Sequence, residues 1–139
     1  LVRENPADYT PQVVPTTAVA RPSVDGIASG STTTYAGGTF DEVANSSSNG
    51  GATYSVSNIV AFNTDTGVIN TAFHPQLNNV VHDVANAADG DVYVGGEFTT
   101  VNGTTTGTLA KLNPDGTVDT NFHAPWTKGT VYDVDLVNI

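Results

Sequence analysis

Apolar positions along this chain fall in short runs divided by Gly, Asn, Asp, Ser and Thr. Val81 to Ala85 reads as a strand, and Ala88-Asp89-Gly90-Asp91 reads as a turn carrying the Asp-Gly hairpin signal. Val92 to Gly95 is the next strand, continued by Glu97 to Val101. Asn102-Gly103 turns the chain, Thr108 to Asn113 is a further strand, Pro114-Asp115-Gly116 turns it again, and Val118 to Phe122 closes the set. Four short strands joined by tight turns predict one small antiparallel sheet. Strong helix formers are scarce, and the abundant residues are those of strands and turns.

The pattern occurs twice. Tyr35-Ala36-Gly37-Gly38-Thr39-Phe40 returns as Tyr93-Val94-Gly95-Gly96-Glu97-Phe98. Ile59 to Asn63 returns as Thr108 to Asn113, and Thr66 to Pro75 returns as Asp115 to Pro125. Val81-His82-Asp83-Val84 is echoed by Val131-Tyr132-Asp133-Val134 and, more faintly, by Val24-Asp25-Gly26-Ile27. Val81 and Val131 are 50 positions apart, the size of a propeller blade. Phe40 and Ile59 are 19 positions apart, against 11 between Phe98 and Leu109. The first unit is therefore the second with an 8-residue polar loop added around Ala44 to Gly51. The boundaries expected are an extended arm or closing strand over 1–23, repeat 1 over 24–75 with its insertion at 44–57, repeat 2 over 76–125, and the start of a third repeat over 126–139. In the arm, Asn5 to Pro11 aligns loosely with Asp119 to Pro125, as the end of another blade.

The Gly pair follows an apolar run and precedes an aromatic. Glycine there lets a neighbouring backbone or ring approach, or permits a bulge. Phe40, Phe98, Phe73 and Phe122 are the expected fillers between adjacent sheets.

The run Val92 to Gly103 followed by Leu109 to Phe122 closely resembles the bacterial delta-60 repeat. The resemblance covers about residues 24–139 and departs at the Asn/Ser/Gly insertion. It implies an all-β fold of tandem four-stranded antiparallel blades, a partial β-propeller of about two to three blades. It also implies an exported or cell-surface protein, and it carries no shared catalytic residues. Propellers close with four to eight blades. The expected partners are therefore the remaining blades of a longer chain, or other subunits, and the break at Val137-Asn138-Ile139 inside a strand reads as that of a fragment.

Charge narrows the function classes. Four Lys and Arg stand against 14 Asp and Glu, a formal net charge of −10. Nucleic acid needs clustered basic side chains, and anionic membrane surfaces are disfavoured on the same ground. The sequence has no apolar run near the length of a membrane span, and a signal peptide is absent from it or already removed. With no Cys, disulfides, zinc–thiolate sites and thiol catalysis are excluded.

Candidate chemistry is sparse. His74 and His123 occupy equivalent repeat positions, which argues for turn residues over a metal site. Asp89-Gly90-Asp91, Asn113 to Gly116 and Asn63 to Gly67 resemble pieces of calcium loops. They lack a distal bidentate Glu, and Asn or Asp before Gly is ordinary hairpin chemistry. No cofactor is expected, with calcium the alternative. Asp83 and Asp133, on the first strands of successive units, are candidate channel carboxylates. Trp126 reads as an inter-blade packing residue. In the inserted loop Asn45, Asn49 and Tyr54 are the candidate ligand contacts, Tyr54 as an exposed aromatic. The reading is a non-enzymatic extracellular module presenting loops to a protein or glycan. The alternatives are a piece of an exported glycan-active propeller enzyme, and a subunit of a surface filament, sheath or virion completed by strand pairing between chains.

Overall fold

The computed structural model describes residues 9–125 and 128–136; Trp126, Thr127, residues 1–8 and residues 137–139 lie outside them. Strands β2 (Ser23–Ser29), β3 (Thr33–Thr39) and β6 (Ile59–Asn63) form an antiparallel sheet in the order β2-β3-β6. Strands β7 (Val81–Asn86), β8 (Val92–Gly96) and β11 (Leu109–Leu112) form a second sheet of the same design. The second and third strands of each sheet are joined through a two-stranded ribbon. It is β4 (Glu42–Ala44) with β5 (Thr53–Ser55) in the first unit, and β9 (Thr100–Val101) with β10 (Thr104–Thr105) in the second. Strand β1 (Gln12–Val13) lies along β4. The chain is all-β, a tandem of propeller blades.

Register makes the repeat explicit. Gly37 faces Ile59 as Gly95 faces Leu109, and Tyr35 faces Ala61 as Tyr93 faces Lys111. A bulge falls between Val24 and Gly26 in one sheet and between Val81 and Asp83 in the other. In both ribbons the strands pair about one centre, Val43 with Tyr54 and Val101 with Thr104. The second ribbon turns at Asn102 (φ 53°) and Gly103 (φ 81°), the two left-handed residues of a type I′ hairpin. In the first ribbon the added residues lie at 45–52, between β4 and β5. The insertion is thus shorter than the expected 44–57, because Thr53 to Ser55 is the counterpart of β10.

Two other expectations need correction. The fourth strand is reduced to single bridges, Phe62 with Ile69 and Leu112 with Val118. The side chains of Asn70 and Asp119 accept from the amides of Ala72 and Asn121 and turn the chain away from the sheet. The arm is also one residue out of step with the alignment drawn from sequence. The Val14 amide donates to Glu42 as the Asn78 amide donates to Thr100, so Tyr9 to Val13 stands where Phe73 to Leu77 stands one unit later. Tyr9 covers Gly67 as His74 and Pro75 cover Gly116.

The main core lies between the two sheets. Tyr35, Ile59, Ala61 and Phe73 from the first meet Val81, Val84, Val94 and Phe98 from the second, all buried. Phe98 has no exposed surface, a burial that contributes roughly 1.5–3 kcal/mol. Phe40 does the same on the other side of the first sheet, in a second cluster with Ala36, Val43, Val60 and Ile69. Phe73 meets Tyr35 edge-on at 5.1 Å, and Phe122 meets Tyr93 edge-on at 5.2 Å. Phe122 is half-buried; among the described residues, its side of the second sheet is covered by residues 131–136.

Candidate functional site

Strands β2 and β7 lie side by side as the first strands of two units, and the segment 131–136 stands against the second unit in the corresponding place of a third. Counted from Val24, Val81 and Val131, their second positions hold Asp25, His82 and Tyr132. His82 Nδ1 lies 3.8 Å from Asp25, its Nε2 lies 2.7 Å from Glu97, and its ring stacks on Tyr132 at 5.0 Å. Their third positions hold Gly26, Asp83 and Asp133. Asp83 Oδ2 accepts from the Val134 amide at 2.9 Å, so the carboxylate ties one unit to the next. A side chain at position 26 would collide with Asp83, which is why glycine stands there. The two candidate channel carboxylates are brought together. Hydrogen bonding to Asp83, then the charge of Asp83, hold the Asp133 carboxyl above the ordinary range.

In the inserted loop the three candidates have different fates. Asn45 is buried and its Oδ1 accepts from the Ile69 amide at 2.9 Å, so it serves the fold and is not a surface contact. Asn49 is half-buried and donates through Nδ2 to the carbonyls of Thr66 (2.8 Å) and Tyr9 (3.3 Å). These bonds, with a short 3-10 turn at Ser47–Asn49, pin the loop onto the body. Tyr54 is half-buried rather than exposed. One side of it packs on the Phe40 cluster, and it lines a cleft that runs to Asn70, Thr71 and His74. His74 and His123 do not converge on one site; each stands at the rim of its own unit's cleft.

The calcium-like turns place their oxygens on backbone amides. Asn63 Oδ1 accepts from Asp65 and Thr66, Asp89 Oδ1 from Asp91, and Asp115 Oδ1 from Thr117. Among the described residues Asp89, Asp91 and Asp119 converge, and the Lys111 ammonium sits among them at 2.6, 3.8 and 3.7 Å. The hydrogen bond from Lys111 holds the Asp89 carboxyl down and in return holds the Lys111 ammonium up. Burial, then hydrogen bonding to Asp119, raises the Asp91 carboxyl. Sequence reasoning missed this cluster because its members are spread over three elements. It also missed His82 with Asp25 and Tyr132, although these share one column of the repeat.

A family model described as "Domain of unknown function (DUF5122) beta-propeller" matches residues 87–122, from the turn before β8 through Phe122. No curated protein and no solved structure matches the chain. Match and fold together define a protein of β-propeller type. No helix among the described residues is long and apolar enough to cross a membrane.

Proposed function

We propose that this chain is a non-enzymatic binding module of the cell exterior, built on blades of the delta-60 kind, that presents loops to a protein or glycan. The observation that carries the reading is the ordering of the inserted loop. Eight residues beyond what the repeat needs are fastened at their start, through Asn45 to Ile69, and at their middle, through Asn49 to Thr66 and Tyr9. A loop fixed before a ligand arrives loses less conformational entropy on binding, and rigid scaffolds commonly carry function on such loops. The composition supports an exterior location: few Lys and many Thr, Ser, Asn and Gly.

Glycan hydrolysis draws less support. Asp83 commits an oxygen to the Val134 amide, and hydrogen bonding to Asp83 and its charge raise the Asp133 carboxyl, a structural tie between units. A place within a larger assembly draws more. Leu109 is half-buried where its counterpart Ile59 is fully buried by the following unit, so further blades or subunits are the natural cover.

The test is a glycan array and a displayed peptide library, each probed with the intact chain and with a variant whose residues 45–52 are replaced by Asn-Gly. Capture by the intact chain that the shortened loop loses supports the reading. Equal capture by both, or by neither, overturns it.

A further inference from the structure

The two units carry corresponding clefts, the second widened by Leu109 and Ala110 on the side that a following unit would cover. In the first unit the cleft lies between β5 and the return after β6, and in the second between β10 and the return after β11. The ribbon wall is Tyr54 and Ser55 in one and Thr104 and Thr105 in the other, matched by strand register. The floor is Ile69 and Phe73, then Val118 and Phe122. The rim is Thr71 and His74, then Thr120 and His123. Ribbon, floor and rim come from segments far apart in sequence, yet all three recur together. The volumes are about 170 and 280 Å³. Both fall below the roughly 300–1,000 Å³ of enclosed small-molecule sites, so each suits one ring or side chain of a longer ligand.

The lining selects the chemistry. Neither cleft is lined by Asp, Glu, Lys or Arg. Each pairs an apolar floor with hydroxyls and an imidazole at the rim, and the first adds the Tyr54 ring and the Asn70 amide. The half-buried rings of Tyr54 in the first cleft and Phe122 in the second are open to the face of a sugar, while rim hydroxyls and imidazole meet its hydroxyl groups. A net charge of −10 works against an anionic polymer. An extended peptide would add to a sheet edge. Here β5 and β10 offer edges of only 3 and 2 residues.

We infer that the paired clefts are successive subsites for one linear, uncharged glycan, bound with one stretch of sugar per unit. This rests on the binding-module reading above and names the ligand class and the contacts. Linking two weak subsites through one chain raises avidity without any new contact, by about 10²-fold or more when the span fits.

The experiment titrates the ¹⁵N-labelled chain with malto-, cello- and laminari-oligosaccharides of increasing length. Thr71→Trp and Thr120→Trp serve as variants. Both positions are exposed, so the added rings fill the clefts and leave the core alone, as circular dichroism would verify. One series should shift amides around Thr71 and Thr120 together, with affinity rising about 10²-fold once the oligomer spans both clefts. Either variant should return a long oligomer to the affinity of a short one. Shifts confined to one cleft, or affinity independent of length, overturn the two-subsite inference while the binding-module reading stands. Peptide capture that depends on residues 45–52, with no oligosaccharide bound, overturns it in the same way. No binding of glycan or peptide overturns both.

Discussion

A methyl group on Gly37 would run into the Val81 side chain of the next unit, and one on Gly95 would run into Val131 and Val134. The second glycine of each pair meets its own unit instead. A Cβ on Gly38 would strike the Ser23 carbonyl, and one on Gly96 the Val80 carbonyl, at the bulge of the first strand. One glycine thus sets the distance between units and the other the approach of strands within a unit. Gly37→Ala can be absorbed in part by a shift of Val81 and should cost about 1–3 kcal/mol, the usual range for overpacking. Gly38→Ala meets backbone, which cannot rotate away, and should cost more. Urea midpoints of the two variants check this, and an equal or reversed order would contradict it. Asp91 gives a pH-dependent case. Its folded-state carboxyl is raised above the ordinary 3.8, mainly by burial. The protonated form is therefore favoured on folding: this contribution is present below the ordinary carboxylate value and lost as pH rises through the raised one. Asp91→Asn imitates the protonated form. It should raise the thermal midpoint at neutral pH and lose that advantage in acid. A midpoint lowered at neutral pH would instead make the ion pair with Lys111 the dominant contribution.

Between residue and blade, the ribbons act as latches from one unit to the next. Asn102 at the tip of the second ribbon accepts from the Gln76 amide at 2.8 Å and donates to the Gly116 carbonyl at 3.1 Å. It joins the exit of one unit to the ribbon and last turn of the other. Asn102→Ala also strains a left-handed position with φ 53°. Its effect should be local: faster amide exchange at Gln76 and Thr100, with β7 and β8 still protected. Uniform loss of protection would mean that the ribbon is integral to the cooperative core. Much at this scale was legible in the sequence. Asn-Gly announced the turn, the Gly pair announced close approach, and unequal spacing announced an eight-residue insertion. The fourth strand was misread because Val118 to Phe122 has strand composition, and only the side-chain turn at Asp119 diverts it. Asn45 was misread because an Asn in a polar loop looks solvated, while the amide it satisfies, that of Ile69, lies 24 residues away.

At the scale of the whole molecule, stability follows from stacking. Blades in tandem behave as a one-dimensional array, in which each junction adds its own interface energy. One such junction is complete here, with Tyr35, Ile59, Ala61 and Phe73 sealed by the second unit. The next is begun by Val131 and Val134 against Gly95 and by the bond from the Val134 amide to Asp83. The equivalents of the sealed residues on that face are Tyr93, Leu109, Lys111 and Phe122, all half-buried. Appending a second copy of residues 82–125 directly after Val131 would continue the repeat in register, since Val131 is the counterpart of Val81. The added sheet would then cover this face as the second unit covers the first. Lys111 is the one charged member of the set, standing where the first unit has Ala61. Its cluster with Asp89, Asp91 and Asp119 lets the ammonium stay paired as the face closes. The extended chain should unfold at higher urea, with a steeper dependence on denaturant because more surface is exposed on unfolding. A steeper slope at an unchanged midpoint would mean that the new unit folds without strengthening the old ones. An unchanged slope and midpoint would mean that it does not dock, and the blade-on-blade account of this face would be wrong.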